Sequence, residues 1–171
     1  MPGSPLGDAF AHHAWATERL IDACTALTPE QLETPVPGTY GSIIRTLRHV
    51  VGSDRWYLSF FPGGEGLEPI DDDGDASLAA LRAEMATNAS AWTELLAGQP
   101  DPDEDIVETE NGWENHSPVG VRLAQVVHHG TDHRSQVCTV LTVLGVTPPE
   151  IDVWAYARQT GRERLVELPK P

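Results

Sequence analysis

The chain is poor in everything that would tie it to a nucleic acid, a membrane or an oxidising compartment. Of its 171 residues only 11 are Lys or Arg, against 26 Asp or Glu, a formal net charge of −15. A surface of that sign repels phosphate backbones and anionic lipids, so neither nucleic acid nor a membrane surface is expected as a partner. No apolar run approaches the roughly 20 residues of a spanning helix. Met1-Pro2-Gly3-Ser4-Pro5 has neither the charged nor the apolar part of a signal peptide. Two cysteines, Cys24 and Cys138, make no disulfide framework. Each falls in an apolar helical pattern and reads as small core filler. There is no internal repeat and no low-complexity tract. A cytoplasmic protein is the expectation.

What is present is enough for one domain with a proper core: 171 residues, 40% of them apolar. Helical periodicity dominates. A first helix is predicted from Asp8 to Leu27, with Phe10, Ala14, Thr17, Ile21 and Cys24 on one face. Thr28-Pro29 starts one short turn through Leu32, and Pro35 and Pro37 then keep the chain extended. A second helix runs from Tyr40 to Phe60 on a stripe of Ile43, Ile44, Leu47, Val50, Val51 and Leu58. Its opposite face carries His49, Trp56 and Phe60, and reads as covered rather than solvated. Pro62 to Gly74 is a surface loop, and its Asp71-Asp72-Asp73 reads as a solvated acidic turn because the alternating ligands of a calcium loop are lacking. A third helix spans Ser77 to Leu96, with Leu78, Leu81, Met85 and Trp92 inward. Gly98 to Ser117 is a long crossover in which Asn111-Gly112 signals a short hairpin. A fourth helix follows the Ser117-Pro118 start and ends at Leu144. A shorter last helix covers Pro149 to Gln159, before a tail ending in Pro-Lys-Pro. The fold class is therefore all-α: a single four-helix-bundle domain of the up-and-down type, modified by the long crossover between helices three and four. Its core spans about residues 8–145, and a C-terminal helix and tail occupy 149–171.

The fourth helix holds the densest chemistry, Val126-Val127-His128-His129-Gly130-Thr131-Asp132-His133-Arg134-Ser135-Gln136. His129 and His133 are four apart and share a helix face, close enough to hold one metal ion. His128 points about 100° away and should not join them. The pair also reads as two ordinary hydrogen-bonded histidines, because half-buried imidazoles need partners of some kind. His49 on the second helix is not decided by the helical wheel alone. Trp56, two turns beyond it, either walls a pocket or belongs to the core. His13, on the apolar face of the first helix, is either a satisfied half-buried histidine or a pocket residue. Gln136 is either core-edge filler or a group that holds a bound water or substrate.

These segments carry a family resemblance. Val126-Val127-His128-His129-Gly130-Thr131-Asp132-His133-Arg134-Ser135-Gln136 is similar to the Val-Val-Asn-His-Gly-Thr-His-His-Arg-Gly-Gln of the DinB/YfiT-like superfamily of metal-binding four-helix bundles. Leu47-Arg48-His49-Val50-Val51 matches that family's Leu-x-His-hydrophobic segment. His12-His13-Ala14-Trp15-Ala16-Thr17-Glu18-Arg19-Leu20-Ile21 resembles its first-helix pattern. The chain departs from the family at His12, His13, Thr17, Asp132 and Ser135. The resemblance implies that His49, His129 and His133 are the ligands of one divalent metal ion.

Three histidines leave coordination positions open for water or substrate. Zinc or nickel suits imidazole donors, with iron, cobalt or manganese fitting a higher coordination number. No carboxylate is placed beside the ligands by helical spacing, so no general base is assigned and the catalytic residues stay unknown. Three functions follow. The first is an enzyme acting on a small molecule with a low-molecular-weight thiol as co-substrate, of the S-transferase or isomerase type that the resemblance suggests. The second is a hydrolase using metal-bound hydroxide. The third is a non-catalytic, stress-related protein whose metal is structural. Trp56, His13 and Gln136 are the candidate pocket residues. A homodimer is expected from the resemblance and from the covered second face of helix two.

Overall fold

Small polar residues set where most of the helices begin. In the computed structural model, which describes residues 4–167, Ser4 caps α1 (Pro5–Cys24), its hydroxyl accepting from the Gly7 amide at 2.9 Å. Thr28 and Gln31 form a reciprocal capping box on the single turn α2 (Pro29–Leu32). Ser42 caps α3 (Ile43–Leu58) and Ser77 caps α4 (Leu78–Ala97). Two antiparallel strands follow, β1 (Asp105–Glu110) and β2 (Trp113–Pro118), with Asp105 opposite Pro118 and Glu110 opposite Trp113. They turn at Asn111-Gly112, where both residues have positive φ, 50° and 82°. Then come α5 (Val119–Val143) and α6 (Val153–Gln159), the latter capped by Asp152.

The caps account for the shifted boundaries. α1 starts at Pro5 rather than Asp8 because Ser4-Pro5 supplies both a cap and a first-turn proline. α3 starts at Ile43, leaving Tyr40 outside the helix, because Ser42 takes the cap. α6 starts at Val153, not Pro149, for the same reason at Asp152. The expected cap at Ser117 is not made, since β2 continues through Pro118. The terminal Pro-Lys-Pro and residues 1–3 lie outside the described residues.

The architecture is the expected helical bundle with a minor hairpin, but its order differs from a simple up-and-down arrangement. α1 packs on α4 and α5, and α3 packs on the same two helices. The order round the bundle is thus α1, α4, α3, α5, with the first two long helices on a diagonal. The connection of residues 25–42, whose Leu27, Leu32 and Val36 pack against the core, is long enough to carry the chain across.

The core is divided into two apolar clusters. One gathers Leu20, Ile21, Leu47, Met85 and Leu141. The other gathers Phe10, Leu58, Trp92, Leu123 and Val126. In sequence, His13, Asp54, Asn88 and Arg134 fall between them on their four helices. His13 is 0% exposed, Asp54 1% and Arg134 3%. Arg134 donates to His13 Nδ1 (3.0 Å) and to Thr17 Oγ1 (3.1 Å). With Nδ1 accepting, the imidazole proton sits on Nε2, which donates to Asp54 Oδ2 at 3.0 Å. Trp92 Nε1 donates to the same carboxylate oxygen. One neutral histidine thus bridges a buried cation and a buried anion, and the four long helices meet in a polar layer with its partners made. Gly130 makes this possible: a Cβ there would lie 2.3 Å from His13 Cε1.

The second face of α3 is covered by the chain itself. Residues 68–76 form a strap along it, fastened by arginines at helical spacing. Arg55 Nε donates to the Glu68 carbonyl (2.8 Å), Arg45 Nε to Asp73 Oδ1 (2.9 Å) and Arg48 Nε to the Ala76 carbonyl (3.1 Å). Gly52 lies between these fasteners, where a Cβ would come within 2.7 Å of the Ile70 amide nitrogen. This side of α3 is thus covered by the chain's own residues 68–76.

Candidate metal centre

α5 presents His129 and His133 one turn apart, and α3, packed beside it, presents His49. Their ring centroids lie 4.5–5.0 Å from one another. One ligand atom from each lies within 4.8 Å of the other two, a spacing that could hold a metal ion. His49 Nε2 and His129 Nε2 face each other at 3.0 Å. Among the described residues this is the one cluster of three or more His, Cys, Asp or Glu with that spacing.

The outer nitrogens explain the orientation. His49 Nδ1 lies 3.1 Å from Asp72 Oδ2, and since a carboxylate only accepts, Nδ1 carries the proton. His133 Nδ1 lies 3.2 Å from Gln136 Oε1, which also accepts the Tyr40 backbone N–H at 2.9 Å. That second donor identifies the amide atom as oxygen, so His133 Nδ1 donates as well. With the proton on Nδ1, the neutral ring has its lone pair on Nε2, the form that binds a metal. Burial, followed by the neighbouring His133 and His49, pushes the His129 pKa down to about 4. Burial and His49 lower that of His133 too. Three imidazoles converging on one point are a donor set that a divalent transition metal fits.

A cleft of about 290 Å³ opens on this cluster, lined by His49, His129, Asp72, Trp56, Tyr57 and Ile70 among others. Trp56 therefore borders the cleft, edge-on to Tyr57 at 4.9 Å. Gln136 acts behind His133 rather than in the cleft wall. His13 is not a pocket residue: it belongs to the buried layer, where both ring nitrogens are taken by Arg134 and Asp54. His128 and Asp132 are exposed on α5.

A DinB family model matches residues 1–165. The chain belongs to the DinB family. Among solved structures, this DinB protein is similar to YfiT from Bacillus subtilis, described as a probable metal-dependent hydrolase with an unusual four-helix bundle topology. The two superpose with a TM-score of 0.64 over 86% of this chain and 91% of that one, at 16% identity, which shows a shared fold. No curated protein matches in sequence. None of the helices in the described residues is long and apolar enough to cross a membrane.

Two residues of the DinB centre escape sequence reasoning. Asp72 is not a freely solvated acid, because it accepts from both His49 and the Tyr40 hydroxyl (2.5 Å). Tyr40 stacks on His49 at 4.1 Å. Both sit in irregular segments, where helical spacing says nothing. The available signal was indirect: Arg45, Arg48, Gly52 and Arg55 recur at helical spacing and mark a face that holds backbone.

Proposed function

We propose that this protein is a metal-dependent hydrolase of a small-molecule substrate, with His49, His129 and His133 as ligands of one divalent ion. The observation that carries the reading is the convergence of three imidazoles, two of them, His49 and His129, in the wall of a cleft. A bound ion would supply Lewis acidity and lower the pKa of water. Zinc or nickel suits the donors best, with iron, cobalt and manganese as candidates of higher coordination. The chain's own residues hold the donors and shape the site. Asp72 and Gln136 fix the rings, Trp56, Tyr57 and Ile70 provide an aromatic and aliphatic wall, and burial of His129 keeps the imidazole neutral. Three protein donors rather than four argue for a site with an open side, unlike closed structural zinc sites.

The same site would accept a thiolate, and an S-transferase with a low-molecular-weight thiol is the second reading. Hydrolysis is preferred because it needs only the ion, an open position and water, whereas among the described residues the cleft lining holds no Lys or Arg for the carboxylates that such thiols commonly carry. The test is turnover of zinc- and nickel-loaded protein on an ester and amide panel, with and without added thiols. Thiol-independent hydrolysis that disappears in His129→Ala is expected. Turnover only with a thiol would replace the hydrolase reading by the transferase. Metal-dependent melting with no turnover on either panel would leave a structural ion.

A further inference from the structure

Tyr40 touches the outer side of two ligand histidines that come from two different helices. Its backbone N–H donates to Gln136 Oε1 (2.9 Å), the acceptor of His133 Nδ1. Its hydroxyl donates to Asp72 Oδ2 (2.5 Å), the acceptor of His49 Nδ1. Its ring stacks on His49 (centroids 4.1 Å, planes 24° apart) and meets His133 edge-on (5.0 Å, 79°). Arg45 closes the arrangement, its guanidinium 4.7 Å from the Tyr40 ring centroid and its Nη1 donating to the Tyr40 carbonyl.

We infer that Tyr40 is the positioning residue of the centre, setting the tautomer of His49 through Asp72 and that of His133 through Gln136. An imidazole offers its Nε2 lone pair only when its proton stays on Nδ1, and an acceptor facing Nδ1 keeps it there. Asp72 needs a second donor to hold its carboxylate in register with His49, and Tyr40 supplies it. Gln136 needs a donor at its oxygen to present that atom, rather than its amide nitrogen, to His133, and Tyr40 supplies that too. The two roles use different atoms and are separable: the hydroxyl serves His49 and the backbone N–H serves His133. The consequence for metal binding rests on the ligand assignment proposed above, whereas the tautomer effect does not.

The test reads both. Imidazole nitrogen NMR of the metal-free full chain reports the tautomer of each histidine, and chelator competition reports zinc affinity. Tyr40→Phe removes only the hydroxyl. It should shift His49 from the Nδ1–H form towards a mixture, leave His133 unchanged and weaken zinc binding about 10-fold, at the lower end of the range for outer ligand partners. Gln136→Ala should do the reverse, disturbing His133 and sparing His49. Asp72→Ala should disturb His49 at least as much as Tyr40→Phe. If Tyr40→Phe leaves both the His49 tautomer and zinc affinity within twofold of wild type, the inference is overturned. It is also overturned if Tyr40→Phe moves His133 as far as His49, since that pattern is general loosening. Tautomers that respond in a chain with no zinc affinity would uphold the positioning role and remove the metal reading instead.

Discussion

Two sets of histidine chemistry lie side by side in this bundle, and they differ in what remains unsatisfied. In the polar layer His13 gives one nitrogen to Arg134 and the other to Asp54, with no exposure. At the cleft, His49 and His133 each have Nδ1 held by the protein, while the Nε2 sides converge with His129. A histidine completed by protein partners holds helices together. A histidine fixed on one side and turned towards two other imidazoles on the other is arranged as a metal-binding histidine would be. The two sets are joined through α5, where Gly130, next in sequence to His129, lies against His13.

The largest effect should come from breaking the completed set. Asp54→Ala would leave Arg134 as an unpaired buried cation and should cost about 3–5 kcal/mol in urea unfolding. Burial pushes the Arg134 pKa down, but a guanidinium stays charged at pH 7, so the loss is not relieved by deprotonation. A cost below about 1 kcal/mol would show that the layer is more hydrated than its geometry indicates.

Breaking the open set should act on metal instead. His129→Ala should weaken zinc on the order of 100-fold, about 2.7 kcal/mol, because removing a ligand costs at least as much as removing an outer partner. His128→Ala, an exposed neighbour, should bind zinc as wild type does. Metal content after stripping and reloading, with a titration of each variant, checks both. Equal affinity in wild type and His129→Ala would remove the centre.

Acid should then separate the sets more gently. The His129 pKa is about 4 in the fold, against the ordinary 6.5 when unfolded. Between these values the unfolded chain binds a proton that the folded chain does not, so stability falls as pH drops from about 6.5 to about 4 and this loss then levels off. After allowance for the site's partial exposure, the loss is on the order of 1–2 kcal/mol. Urea midpoints of metal-free protein across that range should show it, and His129→Ala should show less of it. Zinc affinity of the folded protein should fall later, as pH approaches about 4 and His129 takes up its proton, since each imidazole must be neutral to bind.

Much of this comparison was legible before the structure, and unevenly so. The long helices announced themselves because apolar residues recur at helical period, and His129 and His133 share a face by spacing alone. The diagonal placement of α1 and α3 was not legible, because residues 25–42 specify no direction. Asp54 and Arg134 carried a readable signal, each being a charge within the apolar stripe of its helix near Val50 and Leu58, or Val126 and Val137. A charge there needs a buried partner, yet the sequence does not say which. Asp72 and Tyr40 were hidden for a different reason: non-helical chain reaches the site, and its position is fixed by what it is fastened to.

That fastening turns chain length into a functional variable. Between Glu68 and Asp73 the strap is read against α3 from Arg55 to Arg45, so one inserted residue would displace Asp72 by up to about 3.5 Å and uncouple it from His49. Before Glu68, at exposed residues 62–63 and 65–66, no fastener to the arginine face intervenes. Insertions at those positions would leave the alignment of the cleft's carboxylate unchanged. The protein thus keeps one segment whose residue count is tied to the ligand geometry directly beside another whose count is not, a division along which chain length can vary while Asp72 stays aligned with His49.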